Sequence, residues 1–144
     1  MIENILLATK FSPKAGVARE VAIELVKALN ANLYVLTVYN YDFVERAEFD
    51  ITTIADELKD KVRQNIEEKF DDYIASFKQQ GVNPVKILKI GDAETQILDT
   101  AGEVHADVII VGAGTRKGIF LDRFVRNVTD KVRKRASCHV LTIT

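Results

Sequence analysis

The densest chemistry in the chain lies between residues 107 and 129: Asp107-Val-Ile-Ile-Val-Gly-Ala-Gly-Thr-Arg-Lys-Gly-Ile-Phe-Leu-Asp-Arg-Phe-Val-Arg-Asn-Val-Thr129. Gly112, Gly114 and Gly118 follow the short apolar run Val108 to Val111. Glycines at the end of a buried strand leave bare backbone that an anionic ligand can approach closely. A helix is predicted to begin at Asn127, with Asn127 as N-cap and Asp130 at the third helical position. Strand, glycine loop and helix start together make an anion site in α/β proteins, because the free N–H groups of a helix point at the ligand. Arg116, Lys117, Arg123 and Arg126, with Lys10 after the first strand, could hold such an anion by charge-assisted hydrogen bonds. The same cations also read as a solvated rim on a surface loop.

Other chemistry is sparse. His105 and His139 have no metal-ligand spacing, and no metal site is expected. Cys138 reads as a small core residue, since no Cys-His pairing accompanies it. A Walker loop would need Gly-Lys-Ser/Thr, and a dinucleotide fingerprint should follow the first strand, where Lys10-Phe11 stands. A phosphoacceptor domain would want acidic residues at that strand end, and there are none. No catalytic residue is assigned; slow ATP hydrolysis would have no visible base. Asp42, Glu45, Glu48 and Asp50 read as a solvated loop, and the Tyr39, Tyr41 and Phe43 cluster as cover for the sheet in preference to a shield over a ligand.

These residues need a frame. Ile2 to Thr9 reads as a buried strand, followed by Ser12-Pro13 as a helix entry. Apolar residues at 18, 21, 22, 25, 26 and 29 make one face of a helix from Ala15 to Leu29. Leu33 to Tyr39 is a second strand; Asn40 to Thr53 is ambiguous between loop and frayed helix. Leu58, Val62, Ile66, Phe70, Tyr73, Ile74 and Phe77 form the stripe of a helix from Ile54 to Gln80, closed by Gly81. Val85 to Ile90, with Lys86 and Lys89, reads as an edge strand. Asp92 is a predicted N-cap for a helix through Glu103 that covers the sheet with Ile97, Leu98 and Ala101. The strand at 108–111, a helix from Asn127 to Ala136 and a strand from Val140 to Ile143 complete the chain. The alternation implies an α/β fold: a doubly wound, five-stranded parallel sheet with helices on both faces.

The 144 residues suit one domain, residues 1–144. A net charge of −1 supplies no global field toward nucleic acid or membrane, so neither is an expected partner. The amino terminus lacks a basic region and a long apolar run, so no signal peptide is expected. With a single cysteine, these features point to a cytoplasmic protein.

The whole length resembles the universal stress protein family. The resemblance rests on Ile5-Leu-Leu-Ala8 before Ser12, Leu33-Tyr-Val-Leu-Thr-Val38, Gly91-Asp-Ala-Glu94, and Ala106-Asp107 through Gly112. Val128-Thr-Asp-Lys-Val132 and Ala136-Ser-Cys-His-Val-Leu141 complete it. It implies an adenine-nucleotide α-hydrolase-like fold, a regulatory role in stress response, and homodimers paired through the last strand, Val140 to Thr144. It also implies that ATP with magnesium is a possible ligand, since one branch of the family binds ATP and another does not. No cofactor is fixed by the residues themselves.

In the ATP-binding branch a glycine is followed after two residues by another, then after nine more by glycine with serine or threonine. Here Gly112 matches the first mark and Thr115 replaces the second. Gly118 matches a further common glycine. The final pair falls on Arg126-Asn127, in a loop one residue longer than the family's. Val128 and Thr129 follow it. The family's ATP binders also carry an aspartate that holds the adenine after the first strand, where Lys10 stands here; Thr9 and Val38 would line the base pocket. An ammonium cannot accept a hydrogen bond from the adenine amine. The resemblance therefore implies a degenerate site with weak or lost ATP binding. A variant basic site for ATP or another anionic nucleotide is the alternative.

Overall fold

In a computed structural model of the chain, residues 1–11, 15–39, 52–112 and 121–143 are described. Among the described residues five strands alternate with four helices: β1 (Asn4–Ala8), α1 (Ala15–Leu29), β2 (Asn32–Tyr39), α2 (Thr52–Lys78), β3 (Val85–Ile90), α3 (Ala93–Glu103), β4 (Val108–Gly112), α4 (Leu121–Arg135) and β5 (His139–Ile143). The sheet order is β3-β2-β1-β4-β5, and every pairing is parallel. β1 is central, and Ile5, Leu6 and Leu7 are fully buried. A strand covered on both faces must be apolar throughout, which is why its sequence does not alternate.

The two faces bury separate cores. Ile5, Leu7, Val35 and Ile110 pack with Ala18 and Ala22 of α1 and with Phe70, Tyr73, Ile74 and Phe77 of α2. Leu6, Leu36, Ile109 and Val111 turn the other way, against Ala93, Ile97 and Ala101 of α3 and Val132 of α4. Successive strand residues point to opposite faces, so adjacent leucines of one strand feed different cores. The sheet is therefore doubly wound, as expected. The α2 stripe is buried only in its second half: Phe70 and Phe77 are inaccessible, whereas Leu58 is 40% exposed.

Helix ends follow the local chemistry. Asp92 caps α3, its carboxylate accepting from the Thr95 N–H at 3.0 Å. Gly81, at φ +81°, ends α2 in a Schellman motif: its N–H donates to the Lys78 carbonyl and the Val82 N–H to the Phe77 carbonyl. His105, at φ +52°, closes α3 in the same way, with the Ala106 N–H donating to the Ala101 carbonyl at 2.9 Å.

One boundary needs correction. The helix expected from Asn127 begins at Leu121, so Asn127 lies inside α4 and is not its N-cap. The apolar residues Leu121, Phe124, Val125, Val128 and Val132 recur at helical spacing across that point, and this pattern outweighs the cap signal of a single asparagine. The Ser12 helix entry, the acidic stretch at 42–50, Tyr41 and Phe43 lie outside the described residues. β3 is one of the two sheet edges, as its lysines suggested.

Candidate functional site

The chain leaves β1 toward β2 on one side and returns from β3 to β4 on the other, so the strand order reverses between β1 and β4. At such a switch point the loops leaving the two strands diverge, and a crevice opens at their carboxyl ends. Ala8 is in register with Val111, which sets Thr9 and Lys10 beside Gly112 at this place.

Thr9 is held by backbone. Its N–H donates to the Leu36 carbonyl at 2.9 Å, and its own carbonyl accepts from Thr37 Oγ1 at 2.7 Å. Both threonines are buried, so these bonds satisfy groups that water cannot reach. Val38, 7% exposed, packs into the α3–α4 core next to the end of β2. Lys10 is an exposed residue, yet burial around its amine lowers its pKa below the ordinary lysine value. Phe11 turns to the other face, its ring centroid 5.8 Å from those of Phe70 and Tyr73.

Across the crevice α4 is seated by Thr129, which is 4% exposed; its Oγ1 donates to the Gly112 carbonyl at 3.1 Å. Val128 packs on the same core. The structure thus brings Thr9, Lys10, Val38, Gly112, Val128 and Thr129 to one end of the sheet. Arg126 and Asn127 lie in the first two turns of α4. Thr115 and Gly118, with Arg116 and Lys117, lie outside the described residues.

A residue that the motif reading treated only as part of a resemblance also belongs here. Glu94, in the first turn of α3, is 8% exposed. Its carboxylate lies 3.0 Å from Arg135 Nη1 and 3.6 Å from Lys131 Nζ, both on α4. The Gly91-Asp-Ala-Glu spacing flagged Glu94; nothing local could reveal its partners.

His105 and His139 hold no metal arrangement, and no group of three or more His, Cys, Asp or Glu is placed to hold a metal among the described residues. Cys138 is partly buried against the α3–α4 core, and burial pushes its thiol pKa up, away from nucleophilic use. Among the described residues no helix is long and apolar enough to cross a membrane.

Comparison with known proteins agrees with this architecture. No curated protein matches the chain. A universal stress protein family member from Burkholderia pseudomallei is 25% identical, with a TM-score of 0.73, covering 99% of this chain and 96% of that one. A universal stress protein solved in complex with cAMP is 20% identical, with a TM-score of 0.71 and coverage of 99% and 96%. One from Archaeoglobus fulgidus, solved in complex with dAMP, is 19% identical, with a TM-score of 0.64 and coverage of 100% and 98%. The Universal stress protein family model matches residues 1–144, and the chain belongs to that family.

Proposed function

We propose that this chain is a cytoplasmic, homodimeric regulatory domain of the stress response whose crevice has weak or no affinity for ATP, and that it has no robust catalysis of its own. Lys10 carries the reading. It stands at the carboxyl end of β1, beside the switch point, and an ammonium only donates hydrogen bonds. Arg126 adds bulk where the family's phosphate loop has glycine.

The dimer is proposed through β5. Among the described residues both sheet edges leave backbone groups open on one side, which invites another strand. On β3, Lys86 pairs with Asp71 and Lys89 with Glu103, so the edge is lined by fixed lysines. β5, His139-Val-Leu-Thr-Ile143, has no lysine, and Leu141 is 37% exposed. Lysines on an edge discourage pairing, and β5 lacks them.

A second reading has one observation behind it. Two structural neighbours were solved with adenine mononucleotides, cAMP and dAMP, and Lys10 with the arginines of 116–126 offers a basic substitute for the usual contacts. In this reading the domain is a switch for an anionic nucleotide, with Thr9, Val38, Gly112, Thr115, Gly118, Asn127, Val128 and Thr129 around it.

Calorimetry with ATP, with and without magnesium, separates the two. No heat at high ligand concentration supports the degenerate site; micromolar affinity supports the switch. The double change Lys10→Asp with Arg126→Gly should create or strengthen ATP binding where the motif is merely broken. If the double change weakens a binding already present, the degenerate-site reading fails.

A further inference from the structure

α3 and β4 grip α4 through polar contacts that all fall in its second half. Thr129 Oγ1 donates to the Gly112 carbonyl, where β4 passes into the glycine loop. Two residues later Lys131, and one turn beyond it Arg135, converge on Glu94 of α3. Both cations are otherwise exposed, with side-chain accessibilities of 59% and 71%, while that of the Glu94 side chain is 10%. Oε1 of Glu94 is buried with no donor aligned for a hydrogen bond among the described residues, so its compensation there is charge against charge.

A buried carboxylate demands its counter-charges, whereas an exposed ion pair does not hold a helix in place. Apolar contacts such as those of Val128 and Val132 are non-directional, whereas a hydrogen bond or a buried ion pair prescribes both distance and direction. The polar contacts therefore add a directional constraint on how far α4 reaches along the sheet.

We propose that Glu94 is the positioning residue of the crevice. Acting through Lys131 and Arg135, it fixes the height of α4 against β4 and so keeps Thr129 on the Gly112 carbonyl. Any effect on ATP affinity rests on the nucleotide reading above; the positioning itself does not.

The test uses the full chain with Glu94→Gln, which keeps the shape and removes the charge. Ile97→Val, on the same helix and in the same core, is the comparator for a general loss of stability. Hydrogen exchange of the amides of residues 128–132, measured without ligand and at temperatures where both variants are equally stable, should be at least tenfold faster in Glu94→Gln than in Ile97→Val. ATP affinity, where the unmodified protein has any, should fall at least tenfold in Glu94→Gln and stay within twofold in Ile97→Val. Equal exchange at 128–132 in the two variants overturns the proposal. An unmodified protein that does not bind ATP removes the switch reading alone, and the exchange comparison still decides the role of Glu94.

Discussion

Asp107 and Asn4 clasp each other at the amino end of the sheet: the Asp107 N–H donates to the Asn4 carbonyl at 2.8 Å, and the Asp107 carboxylate accepts from the Asn4 N–H at 3.0 Å. The carboxylate also accepts from the Glu3 N–H at 2.8 Å. The start of β1 is thereby fixed to the start of β4, at the opposite end from the crevice. Asp107 belongs to the scaffold, although it opens the stretch that carries the most suggestive chemistry.

This clasp predicts an acid-sensitive contribution to stability. The Asn4 and Glu3 N–H donors hold the Asp107 carboxyl below its ordinary range. A carboxyl whose pKa is lower in the folded state stabilises fully above its unfolded pKa, about 3.9, and loses that contribution as pH falls through the folded value. Asp107→Asn should therefore lower the urea midpoint at pH 7, and the gap from the unmodified protein should narrow as pH falls below about 3.9 toward 3. A gap of the same size at both pH values would show that the charge of Asp107 contributes nothing. Asp92, lowered by the Thr95 donors, adds to the acid sensitivity of both proteins and cancels from the comparison.

The helix C-termini give a prediction of opposite sign at two similar sites. His105 and Gly81 both occupy left-handed backbone, at φ +52° and +81°. A side chain there is strained, and glycine is not. His105→Gly should stabilise the protein by about 0.5–1 kcal/mol, raising Tm by about 2–4 °C. Gly81→Ala should cost about 1 kcal/mol, although a Cβ there meets nothing within 4 Å, so the penalty is conformational and not steric. Thermal unfolding of the two variants checks both. A destabilised His105→Gly would mean that the imidazole makes a contact worth more than the strain.

The aromatic wedge between β1 and α2 predicts two separable losses. Tyr73 packs edge-on to Phe77, with ring centroids 5.2 Å apart, and its hydroxyl donates to the Ala15 carbonyl at 2.7 Å. Burial pushes the Tyr73 pKa up to about 12, so the hydroxyl stays protonated across the ordinary pH range. Tyr73→Phe keeps the ring and should cost about 1 kcal/mol for the lost bond. Phe77→Ala removes a fully buried ring and should cost about 3–5 kcal/mol. Denaturant unfolding of both measures the difference; equal losses would show that the cavity is refilled by neighbouring rings.

Most of the fold was legible because its signals are local. The spacing of Ala18, Ala22 and Leu29 marks α1, and the edge position of β3 follows from Lys86 and Lys89 interrupting an apolar run. Asp92 was readable as a cap because its partner, Thr95, is three residues away. The start of α4 was not, because Asn127 resembles a cap and the glycines before it suggest a long loop; the apolar spacing from Leu121 was the better guide. His105 was read only as a side chain, and its importance is in the backbone. Glu94 and Asp107 were the least legible: their partners lie about 40 and 100 residues away, and no period in the sequence reports a contact across the fold.

The two sheet edges differ enough to predict which one pairs. Lys86 and Lys89 on β3 are tied to Asp71 and Glu103, and Val85 and Ile90, though about half exposed, lie at the strand's two ends. On β5, Leu141 is at the centre of a five-residue strand and 37% exposed. Sedimentation of the unmodified protein at micromolar concentration should give a dimer. Leu141→Lys places an ammonium in the middle of the proposed contact and should convert the dimer to monomer with little change in thermal stability of the fold, since the side chain already meets solvent. Val85→Lys should leave the dimer intact. Dimers that survive Leu141→Lys but dissociate with Val85→Lys would move the interface to β3, and a monomeric unmodified protein would remove the strand-paired dimer altogether.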